Sequence, residues 1–182
     1  MTDTPKLVGI SGALRRDSTN TKLVHEAARA FGPCDFTLGS IRFPLFDEDL
    51  QNEAGIPAEV TTLAEQILAA DGVILSTPEY NGNIPGTLKN ALDWLSRTGK
   101  APLAGKPLAL LSAADGRSGG ARSQYSTRLC LVAHRPRMVL GPEVMIASSR
   151  QAFDEDGKLK DEASFEFLGK LMTALRKAIE AG

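Results

Sequence analysis

Cysteine and histidine are scarce. The 182 residues hold only Cys34, Cys130, His25 and His134, far apart in the chain. They form no CxxC pair and no metal-ligand spacing, so no metal site is expected and the thiols are read as buried and free. Aromatic residues are few, at 5%, which leaves the core to aliphatic side chains and alanine. Neither charge dominates: 21 Lys+Arg stand against 22 Asp+Glu, a net charge of −1. A general nucleic-acid binder would show a basic footprint that is missing here. No apolar run approaches the roughly 20 residues needed to cross a bilayer. The start, Met1-Thr2-Asp3-Thr4-Pro5-Lys6, lacks the charged-then-apolar pattern of a signal peptide. These absences predict a cytoplasmic protein without nucleic-acid or membrane partners. Disorder is excluded as well, because 42% of residues are hydrophobic. The length suits one domain, 1–182.

What is present is alternation. Apolar runs Leu7–Ile10, Gly72–Thr77 and Pro107–Ser112 read as strands, with a weaker strand within Asp35–Phe43. A last strand is interrupted: Met138–Leu140 and Val144–Ile146 flank Gly141-Pro142. Helical periodicity covers Thr19–Phe31, Ala58–Ala70, the Leu88–Leu95 stripe, Gly120–Ala133 and the stretch after Asp161. Segments 44–57 and 147–160 read as loops. The strands are continuous apolar runs, so both faces are covered, which implies a parallel sheet with helices on each side. Five βα units predict an α/β, flavodoxin-like fold with a five-stranded sheet in the order 2-1-3-4-5. Ligands of such sheets bind beyond the carboxyl ends of the strands at the switch in strand order, here the loops after strands one, three and four.

The first of these loops is Ser11-Gly12-Ala13-Leu14-Arg15-Arg16-Asp17-Ser18-Thr19-Asn20. It leaves a strand and enters a helix, where free N–H groups favour an anion. The hydroxyls and Arg15 suit a phosphate, yet the same residues read equally as a helix cap at Ser18 beside solvated arginines. No Walker or GxGxxG pattern occurs. The second loop, Thr77-Pro78-Glu79-Tyr80-Asn81-Gly82-Asn83-Ile84-Pro85-Gly86, is stiffened by proline and glycine and suits a planar heterocycle; an ordinary strand-to-helix turn is the alternative. The third, Ser112-Ala113-Ala114-Asp115-Gly116-Arg117-Ser118-Gly119-Gly120, is small enough for close approach of a ligand, or simply opens the next helix.

The first loop resembles the GSLRxxSxN motif of the NADPH-dependent FMN reductase family. Pro78–Gly82 followed by Pro85–Trp94 resembles that family's second motif, and Gly119–Arg122 with Gln124-Tyr125 resembles its bacterial quinone and chromate reductases. The likeness spans essentially the whole chain. It implies bound FMN, with NAD(P)H as donor and quinones as the foremost acceptors, ahead of azo dyes, free flavin and chromate. The phosphate would lie on Arg15, Ser18, Thr19, Asn20 and the loop backbone that includes Ser11 and Ala13. The isoalloxazine would lie along Pro78, Glu79, Tyr80, Asn81 and Gly82, approached by Ser112, Ala114 and Gly116. FMN would carry the chemistry by hydride transfer through N5, so no catalytic side chain is implied. Ala13, Ala113 and Ala114 depart from the family's serines, which removes hydroxyls and predicts weaker flavin binding. A flavodoxin-like electron carrier and a non-catalytic flavin-binding regulator are the competing readings; the near-neutral charge and Arg15-Arg16 speak against the carrier.

Other features read as structural. His25 falls on a solvated helix face, His134 near a helix end, and Asp47-Glu48-Asp49 in a solvated loop. Leu129–Ala133 is apolar all round its helix, with Tyr125, Leu129 and Val132 in one stripe and Leu131 pointing elsewhere, so one side can pack on the sheet and the other needs a second partner; Trp94 falls at the exposed margin of its helix. Both patches, with the resemblance, predict a homodimer or homotetramer unless the 44–57 and 147–160 loops cover them.

Overall fold

The computed structural model describes residues 4–182; Met1–Asp3, part of the segment read as lacking a signal peptide, lie outside the described residues. The chain runs β1 (Lys6–Ser11), α1 (Thr19–Phe31), β2 (Asp35–Gly39), α2 (Glu48–Ala54), α3 (Ala58–Ala69), β3 (Gly72–Thr77), α4 (Gly86–Arg97) and β4 (Pro107–Ala113). It continues through α5 (Ala121–Leu131), β5 (Arg137–Met138), β6 (Val144–Ile146), α6 (Ser149–Ala152) and α7 (Glu162–Glu180). All strand pairs are parallel, and the order is β2-β1-β3-β4-β5, the flavodoxin-like arrangement expected. The interrupted last strand is real. β5 pairs with the start of β4, at Pro107 and Leu108, and β6 pairs with its end, from Leu111 to Ala113.

Strand periodicity sorts the core into two layers. Leu7, Ile74, Ala109 and Leu111 meet α1 and α7 on one face. Val8, Ile10, Val73, Leu75, Leu108 and Leu110 meet α3 and α4 on the other. β3 and β4 are buried throughout, as their unbroken apolar runs require. No helix among the described residues is long and apolar enough to cross a membrane, and no cluster of potential metal ligands occurs among them.

Several local expectations are corrected. The 44–57 segment is not all loop, since Asp47 caps α2 by accepting from the Asp49 amide. The 147–160 segment contains α6 and a bridge between Phe153 and Leu159. The helix expected to reach Ala133 stops at Leu131 and tightens into a 3₁₀ turn over Val132–His134. Both thiols are half-buried rather than buried, and burial pushes that of Cys34 up. Trp94 is 0% exposed, not marginal. Its indole N–H donates to the Pro44 carbonyl at 2.9 Å, and Phe46 meets its ring edge-on at 5.1 Å. Asn90 fixes this strap from both ends, donating to the Pro44 carbonyl and accepting from the Phe46 amide. Sequence periodicity placed Trp94 correctly on its helix, but not the chain that crosses over it.

Candidate functional site

A cleft of about 370 Å³ opens beyond the carboxyl ends of β1, β3 and β4, where the strand order reverses. Nine of the residues singled out from sequence line it: Ala13, Arg15, Ser18, Thr19, Asn20, Pro78, Glu79, Tyr80 and Ala114. Ser11, Asn81, Gly82, Ser112 and Gly116 stand behind or beside these without lining it.

At one end the chemistry is that of an anion cradle. Ser18 caps α1, its Oγ accepting from the amides of Asn20 at 3.2 Å and Thr21 at 3.4 Å. This is the helix-capping reading of Ser18, and it leaves the hydroxyl proton free to donate outward. Thr19 donates its hydroxyl to Ser149 at 3.3 Å. Arg15 is held in the loop by a bond from Nη2 to the Asp17 carbonyl at 2.9 Å. Arg150 enters from the far side, 3.4 Å from Asp115. Hydroxyls, two guanidinium groups and a helix N-terminus line this end of the cleft, with the Asp115 carboxylate paired to Arg150; the donors outnumber the one acceptor, a set suited to phosphate.

The other end is bordered by a tight turn. Asn81 and Gly82 take φ values of 52° and 73°, and Tyr80 and Asn83 exchange backbone bonds at 3.1 and 3.2 Å. Both central residues at positive φ make this an Asn-Gly turn of type I′. Glu79 serves the structure of the turn. Its Oε2 accepts from the Arg122 and Ser123 amides at 3.0 and 3.3 Å, capping α5, whose own N-cap Gly120 has no side chain. Ser123 donates to the Pro78 carbonyl at 2.7 Å and contacts the Thr77 hydroxyl at 2.7 Å. The turn is thus fixed from below by the start of α5, through the Arg122 and Ser123 amides and the Ser123 hydroxyl.

Two further sequence candidates face inward. The Asn20 Nδ2 donates to the Ala113 carbonyl at 2.9 Å, while Oδ1 accepts from Ser76 Oγ at 2.8 Å and the Ala113 amide at 3.1 Å. Ser112 donates to the Gly119 carbonyl at 2.6 Å and accepts from Gln124 Nε2 at 3.1 Å. Both side chains are buried and hold loops together instead of reaching outward. Ser149 and Arg150 went unnoticed in the sequence. The signal available was their position just past the last strand, at the same sheet edge.

A family model described as NADPH-dependent FMN reductase matches residues 5–151. The chain belongs to this family. It is 42% identical over 178 residues to the NAD(P)H-dependent FMN reductase of Pseudomonas aeruginosa, covering 97% of this chain and 96% of that protein. It is 38% identical over 185 residues to the quinone reductase of Escherichia coli K12, covering 99% and 98%. Among solved structures, the flavoenzyme NAD(P)H:(acceptor) oxidoreductase FerB of Paracoccus denitrificans superposes with a TM-score of 0.86 at 32% identity, covering 98% of each chain. The family read from the first loop and from Pro78–Trp94 is therefore borne out, and so is the flavodoxin-like fold.

Proposed function

We propose that this chain is an FMN-dependent NAD(P)H oxidoreductase that reduces quinones or similar small oxidants, with FMN in the 370 Å³ cleft. The observation that carries the reading is the contrast between the two ends of that cleft. Hydroxyls and guanidinium groups gather at the α1 N-terminus, and a stiff Pro78–Gly82 turn stands opposite small Ala113 and Ala114. One end fits a phosphate and the other a flat ring, as FMN requires. Arg15, Ser18, Thr19 and Ser149 would hold the phosphate; Pro78, Glu79, Tyr80 and Ala114 would border the ring. Bound there, FMN supplies the transfer of two electrons from a nicotinamide to an acceptor, and the protein supplies binding, orientation and exclusion of water. The Asn20 side chain acts behind these residues, keeping the loops in place, and Glu79 braces the turn from its place in the cleft wall by capping α5.

A single small cleft must receive donor and acceptor in turn. Parallel double-reciprocal lines are expected with NAD(P)H and a quinone, the ping-pong pattern. The decisive experiment is to denature the purified or FMN-reconstituted protein, identify the released chromophore, and follow donor oxidation with a quinone present. A protein that holds no flavin under either condition would overturn the reading, and intersecting lines would overturn the shared-cleft kinetics.

Arg15→Ala should weaken FMN binding by about 1.5–3 kcal/mol, the range for a hydrogen bond to a charged group. Ser18→Ala should weaken it by about 0.5–1.5 kcal/mol. It should also lower protein stability by about 1 kcal/mol, because the cap of α1 goes with it. Titration of apoprotein with FMN decides; unchanged affinity in both variants would place the phosphate elsewhere.

We also propose a homodimer or larger assembly through α5. Apart from buried Leu131, the helix buries polar residues, Ser123, Gln124 and Thr127, while Tyr125 and Leu129, with Val132 just past its end, are 57%, 75% and 69% exposed. Polar groups inside and an apolar stripe outside suit a helix that has a second partner. Trp94 no longer contributes to this argument, since the Pro44–Phe46 strap covers it. Sedimentation at micromolar concentration should show a dimer or tetramer, and Leu129→Glu should yield the 19.4 kDa monomer. A monomer in the unsubstituted protein would refute the assembly.

A further inference from the structure

Beside the main cleft lies a second cavity of about 210 Å³, at the exit of β2. The two share Ala13 and Arg15. Leu14, Leu38 and Ile41 give the second cavity apolar walls, and Thr21, Ser40 and Arg42 add two hydroxyls and another guanidinium. No carboxylate is among the residues that line it. Arg42 is already anchored there. Its Nη2 donates to the Leu14 carbonyl at 3.0 Å, and its amide donates to Ser40 Oγ at 3.3 Å. One of the guanidinium's five N–H donors is thereby used, and the rest are available to a ligand. Nothing proposed for FMN needs Arg42 or Ser40.

The reductase reading leaves open where the far end of the donor goes. NADH and NADPH differ by a single phosphate monoester on the adenosine ribose. Such a group carries about −1.5 to −2 charge and pairs well with the planar fork of arginine. The cavity also lies at a suitable distance. β2 and β3 are separated only by β1 in the sheet, so the Pro78–Gly82 turn stands about two strand spacings away, or roughly 10 Å. A dinucleotide with its nicotinamide at that turn carries its adenosine across such a span through two ribose phosphates.

We infer that the cavity at the end of β2 receives the 2′-phosphoadenosine end of the donor, with Arg42 and Ser40 binding the phosphate, and that this gives a preference for NADPH over NADH. This rests on the reductase reading above. Leu38, partly exposed at 42%, offers the purine an apolar wall. Arg15 stands between the two cavities, so its charge serves both phosphates and it cannot distinguish them. Arg42 can.

The test uses FMN-loaded protein and two probes, adenosine 2′,5′-bisphosphate and adenosine 5′-monophosphate, titrated calorimetrically. The bisphosphate should bind at least tenfold more tightly. Arg42→Ala should abolish that difference, raise KM for NADPH about tenfold or more, and leave KM for NADH and FMN affinity unchanged. Ser40→Ala should give a smaller shift in the same direction, and Arg42→Lys should retain part of the preference. Equal binding of the two probes would overturn the inference. So would equal losses with both donors, or release of FMN from Arg42→Ala, either of which would make Arg42 a brace for the Leu14 carbonyl. Should the protein hold no FMN and oxidise neither donor, the reductase reading fails instead. The same probe titration on apoprotein then decides the cavity by itself.

Discussion

Asn20→Ala should destabilise the protein by about 3–5 kcal/mol and lower its melting temperature by on the order of 10 °C. Asn20 is 2% exposed and lies at the start of α1. Its amide joins the ends of β3 and β4: Oδ1 accepts from Ser76 Oγ and from the Ala113 amide, and Nδ2 donates to the Ala113 carbonyl. Truncation leaves a hydroxyl, an N–H and a carbonyl buried without this partner, each costing about 1–3 kcal/mol. Water entering the space would recover part of that, which brings the expected loss below the sum. The same change should loosen the first and third loops relative to each other, so FMN should protect the variant against heat less than it protects the unsubstituted protein. Thermal unfolding with and without FMN measures both effects. A loss under about 1 kcal/mol would mean that the three loops are held in register by something else.

Asn20 also marks how far the sequence could be read. Its place in a loop between strand and helix, next to hydroxyls, pointed to the correct edge of the sheet. Its partner lies 93 residues away, and nothing local distinguishes a side chain facing a ligand from one facing another strand. Glu79 and Ser112 went the same way. Both are polar residues at strand ends, and both are engaged by α5 and the turn before it. Periodicity, by contrast, carried the architecture. Continuous apolar strands need cover on both faces, which gave the layers, and the five βα units gave the sheet order. Trp94 shows the limit of periodicity. Its angular position on α4 was legible, while the strap that covers it crosses from another part of the chain. Ser149 and Arg150 were missed because the switch in strand order points to the exits of strands one, three and four, which left the segment after Ile146 as a loop. β6 pairs with the end of β4 and so brings its own exit to the same edge.

Gly119→Ala should be the most damaging small change in the third loop, at roughly 2–5 kcal/mol. Gly119 has φ of +58°, where a β-carbon is strained by about 1–2 kcal/mol. Space is the larger problem. That β-carbon would lie 2.6 Å from both the carbonyl carbon and the oxygen of Met145, and 3.0 Å from the Ala147 amide nitrogen. These are backbone atoms of β6 and its exit, so no rotamer relieves the contact. Met145 pairs with Ser112, and Ser112 in turn donates to the Gly119 carbonyl. Relief therefore requires β6 to pull away from β4 or the 116–120 turn to lift. Either movement displaces Ser149 and Arg150, which enter the cleft directly after β6, so the variant should also purify with less than one FMN per chain. Gly116→Ala is the control for stability. It lies in the same loop, has no positive φ, and its β-carbon would meet nothing within 4 Å, so its unfolding midpoint should shift by no more than about 0.5 kcal/mol. Denaturant unfolding of the two variants side by side separates the contact with β6 from a general intolerance of side chains in this loop. Equal destabilisation by both would point to the latter and remove β6 from the explanation.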